Sequence, residues 1–399
     1  MTNITLQDMP DDILEMIYSK MVMGDVVNTN IAIHKQIIKS YITPIYKEKS
    51  FQFIPEIYHK YISIRYNIDV DKLNEYKNVY GLTIETDQHI DLNDYSKIRE
   101  LSCQHCENLD FSSLTNLLKL DCSYNIDSID DDVKYTNNDF SKLLNLVQLH
   151  CIKSKVIYVN NLVNLTSLNC YGCKYIDNVD SLIKLTYLNI CHTKVTRINH
   201  LTQLIELLCN YTRVKDVYNL IKLKYLSCSY SKINYVNNLV NLVSLSCDSS
   251  DVIEVNNLIN LSSLECDNTK IKHVNNLPKL ITLQCVDSKI ECVENLPKLI
   301  ELRCQYSQMK YINNIPKLDI LRCRNTNLVE INHLNSIRTL NCDNTKISDV
   351  SKLVKLVHFS FRYTPISDIS NNTKLISIHH WESNLIITDK IRSDIPEIN

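Results

Sequence analysis

Cys103 with Cys106, and Cys170 with Cys173, carry the C-x-x-C spacing that suits a zinc ion or thiol–disulfide exchange. They belong to a set of 16 cysteines in 399 residues, and twelve of these fall in one register: Cys103, Cys122, Cys151, Cys170, Cys209, Cys228, Cys247, Cys266, Cys285, Cys304, Cys323 and Cys342. From Cys209 to Cys342 each step is nineteen residues. The second cysteine of each pair falls where other copies of the repeat carry Ser or Thr, and the two pairs stand three repeats apart, about 14 Å if each repeat adds one strand at ~4.8 Å. One zinc ion cannot draw ligands from both. The register therefore reads as a core column of small, buried, reduced thiols, with no metal site.

Other reactive types are equally unproductive. His379 and His380 are adjacent and, on a strand, face opposite ways. The run around Asp130, Asp131, Asp132 and Asp139 lacks the glycine and terminal glutamate of a calcium loop. The chain has 3 isolated glycines, Gly24, Gly81 and Gly172, too few for a Walker loop or a dinucleotide fingerprint. No serine, histidine and acid trio stands out, so no catalytic residue, cofactor or enzymatic activity is expected. A net charge of −2 provides no global field for nucleic acid or an anionic membrane. No secretory leader and no run of about 18 apolar residues is visible, so the reading is an intracellular, cytoplasmic chain with reduced thiols.

The elements that position the cysteines follow from the unit Leu258 to Asn276, whose template is LxxLxxLxCxxTxIxxVxN. A period of nineteen marks stacked rungs of a solenoid. Leu264, Glu265 and Cys266 alternate as a short strand, while Ile271, Val274 and Leu277 describe a returning arm too short for a full helix. One rung buries about five or six apolar side chains at roughly 1.5–3 kcal/mol each, against about 1–2 kcal/mol of backbone entropy per ordered residue, so a lone rung does not fold.

The template resembles the leucine-rich repeat, whose LxxLxLxxN core matches Leu261, Leu264, Cys266 and Thr269 over about residues 79–381. The resemblance implies an α/β fold: a parallel β-sheet on a concave face, an extended or 3-10 convex arm, and about 15 rungs of 19 residues. The family's Asn position holds hydroxyls instead, such as Ser250, Thr269, Ser288 and Thr326, and these are expected to bridge successive turns. Between Cys122 and Cys151 the step is twenty-nine, which places a ten-residue acidic insertion there. Residues 382–399 read as a C-terminal cap or tail, with Trp381 and the run Leu385 to Ile387 covering the last rung.

The solvent-facing strand positions set specificity. Around Ser246, Asp248, Glu265 and Asp267 they are small or acidic; then Arg303, Arg322, Arg324 and Arg362 take them over, with Tyr211, Tyr230, Tyr306 and Tyr363 one residue further along. Arginine forks and tyrosine rings dominate interface energetics, so this stretch of the concave face is expected to hold an acidic segment of a protein partner.

The first residues change period. Leu6, Met9, Pro10, Ile13, Leu14 and Ile17 recur at three and four, with Asp8 as a cap, which predicts a small α-helical N-terminal segment over residues 1–50, followed by a linker or cap over 51–78. The string LQDMPDDILEMIYSKM resembles the opening of an F-box, and those six side chains would then form the face that docks on the adaptor of a cullin-type ubiquitin ligase. The family's later tryptophan is absent. Together the two resemblances match the F-box and leucine-rich-repeat proteins of large DNA viruses. Two functions follow: a non-enzymatic substrate-recognition subunit, or a stand-alone interaction module, for example one binding a host factor, whose N-terminal helices only cap the solenoid.

Overall fold

The computed structural model describes residues 63–65, 81–84, 92–104, 109–124, 140–154, 156–386, 393 and 395–398. The helical segment expected over residues 1–50, with Leu6, Met9, Pro10, Ile13, Leu14 and Ile17, lies outside them, as do Cys106 and the acidic insertion. The chain divides into two compact units at Lys194/Val195.

In the first unit, Gly81–Thr83, Glu100–Ser102, Lys119–Asp121, Gln148–His150, Ser167–Asn169 and Tyr187–Asn189 pair in parallel in chain order. The register runs straight across the twenty-nine-residue step, with Lys119 opposite Gln148, so the insertion leaves the ladder intact. In the second unit, strands of three residues recur from Glu206–Leu208 to Ser377–His379, each opposite the residue nineteen further on, as Leu264 is opposite both Leu245 and Leu283.

The strands are short because only their central residue faces inward before the chain turns. In Ser263–Glu265, Leu264 is fully buried and its two neighbours face solvent. The other template positions, Leu258, Leu261, Cys266, Ile271 and Val274, are buried to the last one per cent. Each column therefore contacts copies of itself above and below, and a rung in isolation would lose both contacts.

Two local devices differ from the sequence reading. The hydroxyl column does not bridge successive rungs: Thr269 Oγ1 donates to the Cys266 carbonyl of its own rung at 2.8 Å, Ser250 to Cys247 at 2.6 Å and Thr326 to Cys323 at 2.7 Å. In this slot the hydroxyl sits three residues beyond the carbonyl of its own rung and closes the turn after the strand. Carboxamides make the longer reach, as Asn241 Nδ2 does to the Ile221 carbonyl and Asn260 Nδ2 to the Val240 carbonyl, both at 2.9 Å.

The return arm has two forms. Most rungs turn through consecutive three-residue bonds, such as Leu239 N to Val236 O and Leu242 N to Leu239 O. In three adjacent rungs, His273–Asn275, Cys292–Glu294 and Tyr311–Asn313 instead form a second parallel sheet. These rungs carry proline at one shared offset, four residues past the buried Val or Ile of the arm strand, at Pro278, Pro297 and Pro316. Proline lacks the amide and pushes the preceding residue toward extended backbone. Asn276, Asn295 and Asn314 then turn the chain at positive φ, and their side chains bond rung to rung at 3.1 and 2.8 Å.

The end of the solenoid also differs. Trp381 is 66% exposed and Ile386 79% exposed, so neither covers the last rung. Glu397–Ile398 instead pairs with Ser377–His379 and the nearby Ile395 is buried, which occupies the open strand edge with backbone.

Candidate functional site

The sheet face of the second unit presents three solvent-side columns: the residue before the central leucine, the residue after it, and the residue after the cysteine. Beyond them, one residue further along, lies a fourth column. In this column Tyr211, Tyr230, Ser249, Asn268, Asp287, Tyr306, Asn325, Asn344 and Tyr363 all have φ between 51° and 59°. In an L-residue that left-handed backbone costs about 1–2 kcal/mol, and Asn tolerates it best. Tyrosine at four such positions, each about half exposed, adds large aromatic surface where the turn would favour Asn or Gly. Tyr211 and Tyr230 stack on adjacent rungs, centroids 4.4 Å apart and 9° from parallel. The signal lay in the sequence as a fixed offset of two from each cysteine, but φ is not a property of residue type alone.

Tyr363 makes the test simple, since Asn fills the same slot in the two preceding rungs. Tyr363→Asn is expected to stabilise the chain by about 0.5–1 kcal/mol, read as a higher urea midpoint at unchanged m-value. A lower midpoint would show that the tyrosine ring is held by packing.

The column after the cysteine is not free for ligands along its whole length. Asn210 Oδ1 accepts from Ser229 N at 2.7 Å, Ser229 Oγ from Asp248 N at 3.1 Å, Asp248 Oδ1 from Asp267 N at 2.8 Å and Asp267 Oδ1 from Val286 N at 2.6 Å. Each side chain thus satisfies the amide of the next rung. Burial pushes the Asp248 carboxyl above its ordinary range, against the bond from Asp267, and the neighbouring Asp267 and Glu265 carboxylates add to the rise. The chain of acceptors stops at Val286, and two rungs later the column turns basic.

The arginines differ in how free they are. Arg303 Nε donates to Glu301 Oε1 at 2.6 Å on its own strand, so its charge is locally balanced. Arg324 lies over the Tyr306 ring, 5.9 Å from the centroid. Arg322 and Arg362 make no ion pair among the described residues. Arg324, Asn325, Asp343, Asn344, Arg362 and Tyr363 line an open depression of about 290 Å³. Its floor is Asp343, whose Oδ1 accepts from Ser360 Oγ at 2.6 Å and from Arg362 N at 2.9 Å. The structure thus brings Arg322, Arg324, Arg362, Tyr306 and Tyr363 to one end of the face and leaves Arg303 tied.

The cysteines face inward. Every ladder cysteine from Cys103 to Cys342 is buried and outside any disulfide. Cys173 fills the hydroxyl slot and donates to the Cys151 carbonyl of the preceding rung at 2.8 Å. Among the described residues no cluster of three His, Cys, Asp or Glu is placed to hold a metal ion. Cys292, half-buried in the second sheet, lies 3.1 Å from His273 Nδ1.

No family profile and no curated protein matches the chain. Solved structures do. The functional domain of InlJ from Listeria monocytogenes, described as including a cysteine ladder, has a TM-score of 0.62 at 23% identity over 76% of this chain and 73% of that one. A leucine-rich-repeat protein of Leptospira interrogans gives 0.60 at 17% identity over 84% and 92%, and YopM from Yersinia enterocolitica 0.52 at 15% over 84% and 72%. With the rung geometry above, these likenesses define the fold as a parallel leucine-rich-repeat solenoid.

Proposed function

We propose that the chain is a non-enzymatic recognition protein in which the solenoid selects a protein partner on its sheet face, and that residues 1–50 present this partner to the adaptor of a cullin-type ubiquitin ligase. The observation that supports the first half is the concentration of exposed, unneutralised Arg322 and Arg324 with Arg362, Tyr306 and Tyr363 at one end of the face. Guanidinium forks bind carboxylates in two-point geometry, and rigid aromatic rings add contact area at small entropy loss, so the partner segment is acidic. The second half rests on the F-box-like spacing of Leu6, Met9, Pro10, Ile13, Leu14 and Ile17.

Two measurements test it. Arg322→Glu with Arg324→Glu is expected to weaken capture of the partner by at least tenfold, while the unfolding midpoint stays put because both side chains are at the surface. Unchanged capture removes this site. Capture of the ligase adaptor by the full chain, lost on Ile13→Asp with Leu14→Asp, tests the ligase role; retention of the adaptor by that variant, or no capture at all, leaves a stand-alone interaction module.

A further inference from the structure

Four charges of the sheet face that make no ion pair stand in two groups of opposite sign, with the same spacing in two columns, while the unpaired Arg362 falls opposite Ser229. In the column after the central leucine, Glu265 stands three rungs before Arg322; in the column after the cysteine, Asp267 stands three rungs before Arg324. Among the described residues none of the four makes an ion pair. Between them Arg303 is held by Glu301, and Asp287, exposed in the left-handed column, falls opposite Tyr306. In the left-handed column, Tyr230 and Tyr363 lie one rung outside Ser249 and Asn344, and are centred on the same midpoint.

A rotation about an axis parallel to the strands preserves columns and reverses rung order. Placed between Thr282–Gln284 and Glu301–Arg303, it carries Glu265 onto Arg322, Asp267 onto Arg324 and Tyr230 onto Tyr363. A self-complementary interface has this property, because residue i meets j and j meets i. We propose that the sheet face of residues 195–399 docks on the same face of a second copy of this chain about that two-fold axis. The dimer then holds the Glu265–Arg322 and Asp267–Arg324 contacts twice each, and the tyrosines close both ends.

One pair falls like on like, Asp248 opposite Asp343. Asp343 is sunk to 5% exposure with Oδ1 occupied by Ser360 and Arg362, and it presents little charge outward. From Tyr230 to Tyr363 the face spans seven rung steps, about 34 Å at ~4.8 Å each. Five residues of width give roughly 550 Å² per copy, below the ~800 Å² of a standard interface. The dimer is therefore weak, electrostatic and screened by salt, and an acidic partner on the arginine rungs competes with it. This inference does not depend on the recognition role above.

Sedimentation velocity of the full chain tests it at about 0.1 M and about 1 M salt, where the screening length is about 10 Å and 3 Å. A concentration-dependent dimer is expected at the lower salt and monomer at the higher. Glu265 and Arg322 are exposed, so their reversal leaves the fold intact. Glu265→Arg alone and Arg322→Glu alone should each raise the dimer dissociation constant at least tenfold. The double variant should restore it, and an equimolar mixture of the two single variants should form heterodimers. A chain that stays monomeric at low salt, a dimer indifferent to salt or to either single reversal, or a double variant that fails to recover association would each overturn the proposal.

Discussion

Between about pH 9 and pH 12 the folded chain is expected to lose stability steeply and unfold, visible as collapse of its far-ultraviolet circular dichroism. The cause is the thiol column. Burial pushes Cys247, Cys266, Cys304 and Cys342 well above the ordinary value of 9.0, and neighbouring thiols push them further. Burial raises Cys228 to about 12, with a bond from Ser231 opposing and Asp248 assisting. In the unfolded chain each of these thiols ionises near 9.0. Below that value both states are protonated and the contribution is fully present. Above it the unfolded state holds fewer protons, so stability falls as pH rises, until the folded thiol itself ionises. For a thiol shifted from 9 to 12 the loss is ~1.4 kcal/mol at pH 10 and approaches ~4 kcal/mol by pH 12. A few such thiols equal the whole 5–15 kcal/mol typical of a domain. Cys228→Ala separates this from tyrosine and lysine titration. Its deficit against the parent, about 1 kcal/mol at pH 8, should vanish and turn into a surplus of about 0.4 kcal/mol at pH 10; an unchanged deficit would show that the column is not responsible.

Leu302→Ala should lower unfolding free energy by about 3–5 kcal/mol, the upper part of the range for buried leucines. Leu302 is fully buried, in register with Leu283 and Leu321. Its neighbours cannot close the cavity, because rung spacing is set by backbone bonds on both sides, Cys285 N to Arg303 O and Cys304 N to Arg322 O, each 2.8 Å. Lys298→Ala, an exposed change in the same rung, should remain within about 0.5 kcal/mol. Urea denaturation at constant m-value makes the comparison. A loss below about 1 kcal/mol at Leu302 would mean that rungs slide to refill the space.

Much of the candidate site was legible before any coordinates. The arginines were found because a nineteen-residue register assigns each position a side of the strand, and Arg322, Arg324 and Arg362 do share one end of the face. Arg303, read with them, is held by Glu301, which sits two residues away and lands on the same side once the strand is formed. Asp248 and Asp267 looked like ligand-facing acids, yet the next rung takes one oxygen of Asp248 and both of Asp267, through Val286 N and Gln284 Nε2. The second sheet had a signal, three prolines at the same offset, whose meaning depends on the rung geometry around them.

The amino-acid order alone determined the solenoid, the inward columns of Leu, Ile, Val and Cys, and the length of a rung, because burial of identical columns is periodic and periodicity is a one-dimensional property. Tertiary structure decided what one dimension cannot carry. It set which way a hydroxyl turns, which residues adopt left-handed backbone, and which charges on neighbouring strands neutralise one another. Those outcomes depend on distances of a few ångströms between residues nineteen apart, and such distances exist only after the rungs have stacked.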